Sequence, residues 1–293
     1  MAGKFVSIVI PTYNDWAGLS KCLKALSMQS YPSGSFEIIV ANNNPSNPAP
    51  LNYRLPDNCQ IITESKPGSY AARNSAIKKA KGEIIGFTDS DCIPDKDWIT
   101  NAVASFNHNP DLWRVAGHIE LFYKKPELSN VELYEKIFAF NQDLYVKKDS
   151  SAVTANLFTY KSAFEKVGLF NDELMSGGDY EWSVRAKNGD LSIKYFDNVT
   201  VLHPARYEFA ELERKARRVG GGQAKFAAGK PSNLLSLVYD LRPPIKTIPI
   251  INQRGKTLSI NQKLVVFFIR YRLNLITAFE KYRVKAGKIA ARE

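Results

Sequence analysis

The chain reads as an α/β protein on a mainly parallel mixed sheet flanked by helices, and three observations predict it. Short β-branched runs alternate with stretches of helical periodicity, the pattern of strand–helix–strand units. The strand candidates are apolar runs, as in strands covered on both faces. The 293 residues, 44% of them hydrophobic, leave room for one large domain with an extension.

Taken in order, Phe5–Ile10 is a β-branched run that Pro11 ends, followed by a turn and a helix carrying Leu19, Leu23 and Leu26 at helical spacing. Glu37–Ala41 is the second strand, closed by the turn-rich Asn42-Asn43-Asn44-Pro45-Ser46-Asn47-Pro48. Gln60–Thr63 is a short third strand, Ser69–Lys81 a helix and Glu83–Thr88 the fourth strand. Trp98–Phe106 reads as helix, Val115–Phe122 as strand, and Glu132–Lys147 as one helix with aromatics at helical spacing. Past Gly168 a loop, Asn171–Gly178, leads to a helix over Asp179–Lys187 and two short strands, Leu191–Phe196 and Val199–His203. A basic helix, Glu211–Arg218, runs into Gly220-Gly221-Gly222. Pro243, Pro244 and Pro249 mark a linker, and residues 263–284 form a final aromatic-rich basic helix.

The net charge of +11 is unevenly placed. Residues 1–204 hold 21 Lys/Arg against 23 Asp/Glu, whereas residues 205–293 hold 19 against 6. The excess therefore lies in the last third and points to an anionic partner, either nucleic acid or a membrane surface. Three scattered cysteines, Cys22, Cys59 and Cys92, suit a reducing compartment better than a disulfide scaffold. The first residues run directly into a strand pattern, so no secretory leader is expected.

The run Ile84-Ile85-Gly86-Phe87-Thr88 ends in Asp89-Ser90-Asp91. Ligands of open α/β sheets collect at the carboxyl ends of strands. Two carboxylates one residue apart can there offer hard oxygen ligands to a divalent cation, whose remaining positions go to phosphate and water. The same residues also form ordinary turns, so their neighbours carry the argument.

Those neighbours occur in a telling order. Ser7-Ile8-Val9-Ile10-Pro11-Thr12-Tyr13-Asn14-Asp15 comes first, then Glu37-Ile38-Ile39-Val40-Ala41-Asn42-Asn43-Asn44. Pro67-Gly68-Ser69-Tyr70-Ala71-Ala72-Arg73-Asn74, Gly82-Glu83-Ile84-Ile85 and Asp89-Ser90-Asp91 follow. Gly177-Gly178-Asp179-Tyr180-Glu181-Trp182-Ser183-Val184-Arg185 and a strand ending at His203 complete the series. Over about residues 4–205 it closely resembles the family 2 glycosyltransferases of the GT-A fold. That resemblance implies a nucleotide-sugar donor, UDP-sugar favoured, a divalent metal (Mn²⁺ or Mg²⁺) and inversion at the anomeric carbon. It implies a catalytic domain over 1–205 and a basic helical extension over 206–293.

The same resemblance implies roles for individual residues. Asp91 and His203 become metal ligands, while Asp89 faces the ribose or sugar or joins the metal. Asp179 takes the position of the catalytic base, with Glu181 as the alternative, although Gly178 stands where relatives often carry Glu. A base is needed because the acceptor hydroxyl must lose its proton. Asp179 is equally a natural helix N-cap. Pro11, Thr12, Tyr13, Asn14, Lys66, Gly68, Arg73 and Ser90 fall in the nucleotide-sugar site. Asn42 stands where most relatives have an Asp; an amide both donates and accepts, so a base other than uracil is less easily excluded. Asn156, Gly178, Arg217 and Arg218 fall where relatives meet sugar or acceptor.

In the basic third, Leu264–Ile269 is far short of the ~20 apolar residues that span a bilayer. With Lys281, Arg283, Lys285 and Lys288 it suits a helix lying in the headgroup region of an anionic membrane, or one packed in a core or dimer. The expectation is a cytoplasmic enzyme peripherally bound to the inner face of the cell membrane, acting on a saccharide or lipid-linked saccharide acceptor; the alternatives are a soluble glycosyltransferase acting on a protein or small-molecule acceptor, or a nucleotide-sugar-binding module without turnover. Nucleic acid is not expected as a partner, because acidic strand ends without metal repel phosphate.

Overall fold

The computed structural model describes residues 3–226 and 234–288. The strands among them are β1 (Val6–Thr12), β2 (Phe36–Asn42), β3 (Cys59–Thr63), β4 (Ile84–Thr88), β5 (Ile93–Pro94), β6 (Arg114–Phe122), β7 (Asn156–Tyr160) and β8 (Ile193–Pro204). The helices are α1 (Trp16–Ser27), α2 (Ser69–Lys79), α3 (Trp98–Asn107), α4 (Asn130–Phe138), α5 (Gln142–Asp149), α6 (Ser162–Val167) and α7 (Gly178–Asn188). They continue with α8 (Phe209–Phe226), α9 (Leu234–Leu241), α10 (Ile248–Arg254) and α11 (Ile260–Lys285).

The strands form one sheet in the order β3-β2-β1-β4-β7-β6-β8-β5. The first four are parallel, with Ile8 opposite Ile38 and Gly86. β7 runs antiparallel to both β4 and β6, and β5 antiparallel to β8. Chain order reverses direction at β1 and β4, and such a switch point opens a crevice at the carboxyl ends of the two strands. This is the GT-A arrangement that the motifs imply.

The chain divides into two compact units. The first holds Met1–Glu120, Phe140–Glu173 and Gly178–His203; the second holds Leu121–Ala139, Leu174–Gly177 and Pro204–Glu293. The sequence-derived boundary at 205 falls beside the break at His203, but the second unit also takes in α4 and the short stretch 174–177. The first unit's core joins Ile8 and Ile10 to Leu19, Leu23 and Leu26 on one helix and to Trp98, Phe106 and Phe158. The second unit's core is Val131, Tyr134 and Ile137 of α4 with Leu212 and Ala216 of α8 and Val266 and Leu273 of α11.

Several local expectations are corrected. Pro11 does not end the first strand: pairing to β4 stops at Val9, so Pro11 lies where β1 has β2 alone as neighbour and its missing N–H is tolerated. The helix expected over 132–147 is two, broken where Phe140 takes φ 49°. Buried Gln142 explains the break, because its amide is fixed by Asn156 O at 2.8 Å and Val153 N at 2.8 Å. The two strands expected over 191–203 are one, whose Asp197-Asn198 stretch is exposed strand rather than a turn. β5, β7 and α6 carry no clear local pattern and are additions.

Gly220-Gly221-Gly222 does not stop the basic helix; α8 continues to Phe226. A Cβ on Gly220 would lie 2.4 Å from Thr277 O of α11, and one on Gly222 2.5 Å from Ser176 O. These glycines let backbones approach, a use that outweighs their low helix propensity. The stretch marked by prolines is not all linker: α9 ends at Leu241 just before it and α10 begins within it, with Pro249 in the first turn of α10 where its missing N–H costs nothing.

Candidate active site

Three chain segments meet at the carboxyl ends of the parallel strands. After β1, Asn14 takes a left-handed φ of 56°, a conformation Asn tolerates. Its Oδ1 accepts from Asn44 and Asn47, both at 2.8 Å, so the loops after β1 and β2 are tied together. Asp15 caps α1 by accepting from Gly18 N at 2.9 Å and also accepts from Ser90 Oγ at 3.1 Å. Thus the first loop holds the Asp-Ser-Asp turn. Asp15 was not singled out in the sequence, where its cap position was the only signal.

Asn42 is buried, and both its amide hydrogens are committed to its own loop, to Asn44 O (3.1 Å) and Asn47 O (3.0 Å). Its neighbour Asn43 spans the crevice wall instead: it donates to Glu64 O and Lys66 O and accepts from Gly68 N at 2.7 Å. Lys66 is bound at 2.7 Å to both Asp172 and Glu173, whose hydrogen bonds push its ammonium up to about 12. Pro11 and Thr12 close β1, and Thr12 Oγ1 is buried without a hydrogen-bond partner.

Helix α2 supplies the link between the acidic groups. Arg73 is 3% exposed and donates to Asp89 Oδ1 at 2.5 Å, while its Nε has no partner. Its guanidinium lies 5.7 Å from the ring centre of Tyr70, and Tyr70 Oη donates to Asp179 Oδ1 at 3.1 Å. An unbroken chain, Asp89–Arg73–Tyr70–Asp179, therefore joins the end of β4 to the start of α7. Tyr70 stacks on Phe170, which packs on Trp182, Phe164 and Phe87, and this aromatic cluster fixes the first turn of α7.

Asp179 also accepts from the backbone N–H of Tyr180 at 2.9 Å. Burial of its carboxyl raises the pKa, and the hydrogen bond from Tyr180, the charge of Arg73 and the Tyr70 hydroxyl oppose the rise. A desolvated carboxylate with a raised pKa is a better proton acceptor than one in water. Glu181 is spent differently. It forms a two-pronged pair with Arg185 at 2.7 and 2.8 Å, and Arg185 also donates to Leu169 O, joining α7 to the chain after α6. Gly178 follows from packing: a Cβ there would lie 2.7 Å from the Tyr70 ring.

At the far side of the turn, Asp91 Oδ1 stands 3.7 Å from His203 Nε2. His203 is buried at the inward-facing end of β8, two residues after Val201, with its ring 4.4 Å from that of Phe140. Asp91, Cys92 and His203 bring their ligand atoms within 4.8 Å of one another. A carboxylate oxygen and an imidazole nitrogen, too far apart for a hydrogen bond, fit a divalent cation of the Mn²⁺ or Mg²⁺ kind. Burial, with the charges of Asp89 and Asp91, pushes the Cys92 thiol well up, and a hard cation of this kind prefers the carboxylate and imidazole to a soft sulfur donor. Cys92 was not among the sequence candidates, since nothing in its local pattern marks it.

Two groups of candidates stand apart. Asn156 is fully buried: it accepts from Trp98 Nε1 at 2.9 Å and donates to His118 O and Val199 O. It holds strands together and does not reach the surface. Arg217 and Arg218 belong to the second unit, where Arg217 pairs with Glu213 at 2.7 Å.

Known proteins resemble this chain in sequence and in fold. A family model described as "Glycosyl transferase family 2" matches residues 7–168. Glycosyltransferase AglE of Haloferax volcanii is 36% identical over 225 residues, covering 75% of this chain and 73% of that protein. The Staphylococcus aureus poly(ribitol-phosphate) β-N-acetylglucosaminyltransferase TarS is 25% identical over 217 residues, covering 64% of this chain and 37% of that one. Among solved structures, S. aureus TarS in complex with UDP-GlcNAc aligns with a TM-score of 0.55 at 14% identity, over 97% of this chain and 92% of that one. The Pyrobaculum calidifontis mannosyltransferase in complex with GDP-Man and Mn²⁺ aligns with a TM-score of 0.57 at 15% identity, over 98% and 88%. With its motifs assembled at the switch point of a GT-A sheet and its sequence matching the family model over more than half its length, the chain belongs to glycosyl transferase family 2.

Proposed function

We propose that this glycosyltransferase moves a sugar from a nucleoside-diphosphate sugar, UDP-sugar favoured, to a hydroxyl of a lipid-linked, phosphate-bearing saccharide, with inversion at the anomeric carbon. The observation that carries the reading is the linked chain Asp89–Arg73–Tyr70–Asp179, which sets one carboxylate at the sheet's ligand-binding end and a desolvated one at the facing helix. Asp179 takes the proton from the acceptor hydroxyl. The hydroxyl oxygen attacks the anomeric carbon as the bond from that carbon to the phosphate oxygen breaks. The bonding electrons leave with the nucleoside diphosphate, and a single displacement of this kind inverts the carbon. Arg73 orients Asp89 against the ribose or sugar, and Pro11, Thr12 and Tyr13 flank the base. A divalent cation held by Asp91 and His203, with Asp89 within the same turn, would supply charge stabilisation of the departing diphosphate.

The acceptor class rests on relatives' names. One, 24% identical over 197 residues and covering 61% of this chain, is the dolichyl N-acetyl-α-D-glucosaminyl phosphate 3-β-D-2,3-diacetamido-2,3-dideoxy-β-D-glucuronosyltransferase of Methanococcus voltae. TarS acts on a poly(ribitol-phosphate). A cytoplasmic enzyme at the inner face of the membrane fits this class. No helix of the described residues is long and apolar enough to cross a membrane. Ile260, Leu264 and Phe268 instead form an exposed stripe along α11, and Ile245 and Ile248 are also exposed, with Lys246 and Lys256 nearby in the chain. The opposite side of α11 packs in the second unit's core through Val266 and Leu273. An apolar stripe with basic neighbours suits the headgroup region of an anionic bilayer.

The test is a transfer assay with UDP- and GDP-sugars, with and without Mn²⁺, on a polyprenyl-diphosphate saccharide and on the same saccharide without lipid. The product anomer is read by NMR. Retention of configuration would end the single-displacement reading, and equal rates on both acceptors would end the lipid-linked one.

A further inference from the structure

Helix α2 grips the chain that leads into α7 at two places. Asn74, 5% exposed, clasps the backbone of Phe170: its amide donates to Phe170 O at 2.9 Å and its Oδ1 accepts from Phe170 N at 3.1 Å. Tyr70 lies four residues earlier and so shares that face of α2. Its ring is equally buried and stacks on Phe170 with centres 5.7 Å apart. Its hydroxyl then reaches Asp179 Oδ1, in the first turn of α7, at 3.1 Å. Gly178 leaves the room for this reach. A Cβ there would lie 2.7 Å from Tyr70 Cε2 and 2.9 Å from Cζ, the carbon that bears the hydroxyl. Any larger residue at 178 pushes the ring at the very end that bonds Asp179.

Phenylalanine would fill the same space and keep the aromatic cluster, so packing alone does not call for the hydroxyl. The Tyr70 hydroxyl and the backbone N–H of Tyr180 both donate to the same oxygen, Oδ1. Two donors converging on one oxygen fix the carboxylate's rotation about its Cβ–Cγ bond. Aim matters for a base, since misplacement by about 1 Å costs on the order of 10²-fold in rate. Few charged or titratable groups surround Asp179. Arg73 and Tyr70 face it from α2, and Glu181 of its own helix is paired with Arg185. The Arg73 charge and the Tyr70 hydroxyl both lower the Asp179 pKa against burial, so loss of the hydroxyl raises it. Tyr70 keeps its own proton, because burial and the Asp179 charge push its phenol up.

We propose that Tyr70 is a positioning residue for the transfer reaction, anchoring Oδ1 of Asp179 so that Oδ2 receives the proton of the acceptor hydroxyl. This role rests on the reading of Asp179 as the base and deepens it. Gly178 serves the same end through the space it leaves for the ring.

The experiment is a double-mutant cycle on the full chain, read as kcat and donor KM across pH with the UDP- or GDP-sugar that the native protein transfers. Tyr70→Phe is expected to lower kcat about tenfold and to leave donor KM within about twofold. It should also move the acid limb of the kcat profile to higher pH, a change that a ring serving only to pack would not cause. In an Asp179→Asn background the same substitution should leave kcat within about twofold, because its effect travels through the carboxylate. Equal fold losses in both backgrounds, or an acid limb that stays in place, overturns the role. Circular dichroism shows that each variant is folded. Should Tyr70→Phe not fold, Gly178→Ala takes its place, since it keeps the hydroxyl and pushes the ring that carries it; the same loss of kcat and the same shift of the limb are expected. If Asp179→Asn keeps native kcat, the base reading fails and the Tyr70 role fails with it. If Asp179→Asn loses kcat while Tyr70→Phe matches the native protein at every pH, the Tyr70 role alone fails.

Discussion

Replacing Asp179 by Asn tests the chemistry at its centre. The amide keeps the volume and shape of the carboxylate. Its oxygen can still accept from Tyr180 N and Tyr70 Oη, so the first turn of α7 and its aromatic support remain. What it loses is the ability to take a proton. General base catalysis is worth roughly 10²–10⁴-fold, or about 3–5 kcal/mol of barrier, and kcat is expected to fall by that amount with donor KM nearly unchanged. Stability should move the other way. Burial raises the pKa of Asp179 above its ordinary value of 3.8, so the folded chain binds more protons than the unfolded one between those values. Stability then falls as pH rises through that window, and the ionised carboxylate is a burden at neutral pH. Asp179→Asn is therefore expected to melt no lower than the native protein at pH 7. For the same reason native kcat should fall on the acid side, as the base becomes protonated. Glu181→Gln is the control. It breaks a partly exposed pair with Arg185, worth about 1 kcal/mol or less, and should lower the melting temperature slightly while leaving kcat within a few-fold. A large kcat loss in Glu181→Gln with a small one in Asp179→Asn would refute the assignment.

Other outcomes follow from the same geometry. Asp91→Ala should remove Mn²⁺-dependent nucleotide binding, measured by titration calorimetry, whereas Cys92→Ala should keep it; the reverse pattern would make the thiol the ligand. Gly178→Glu, which restores the residue common in relatives, should destabilise by about 1–3 kcal/mol, because the new Cβ meets the Tyr70 ring at 2.7 Å. Denaturant titration checks this, and Tyr70→Ala in the same chain should relieve part of the clash. Leu264→Glu with Phe268→Glu, both at exposed positions, should weaken sedimentation with anionic liposomes without changing the melting temperature. Unchanged sedimentation would remove α11 from the membrane contact.

Much of the framework was legible because it is local. β1, β2 and β4 announce themselves as apolar runs, and each ends in the turn residues that form the crevice. The period-2 pattern Val199, Val201, His203 already turns that histidine inward. The ordered motifs named the family before any side chain was placed. What the tertiary structure alone decided is the partner each polar group finds far along the chain. Asn42 and Asn156 have the same chemistry in the sequence as any exposed amide, but one ties its own loop and the other joins β7, β6 and β8 to α3. Lys66 meets Asp172 across 106 residues, and Asp179 meets Tyr70 across 109. Glu181 is drawn into a two-pronged pair with Arg185 that also ties it to the chain after α6, which its place two residues after Asp179 does not reveal. Three glycines in a row read as a stop until a neighbouring helix backbone is seen to need their space. Strand and helix preferences act over a few residues, whereas a hydrogen bond or a close approach is settled by whatever the fold brings within 3 Å.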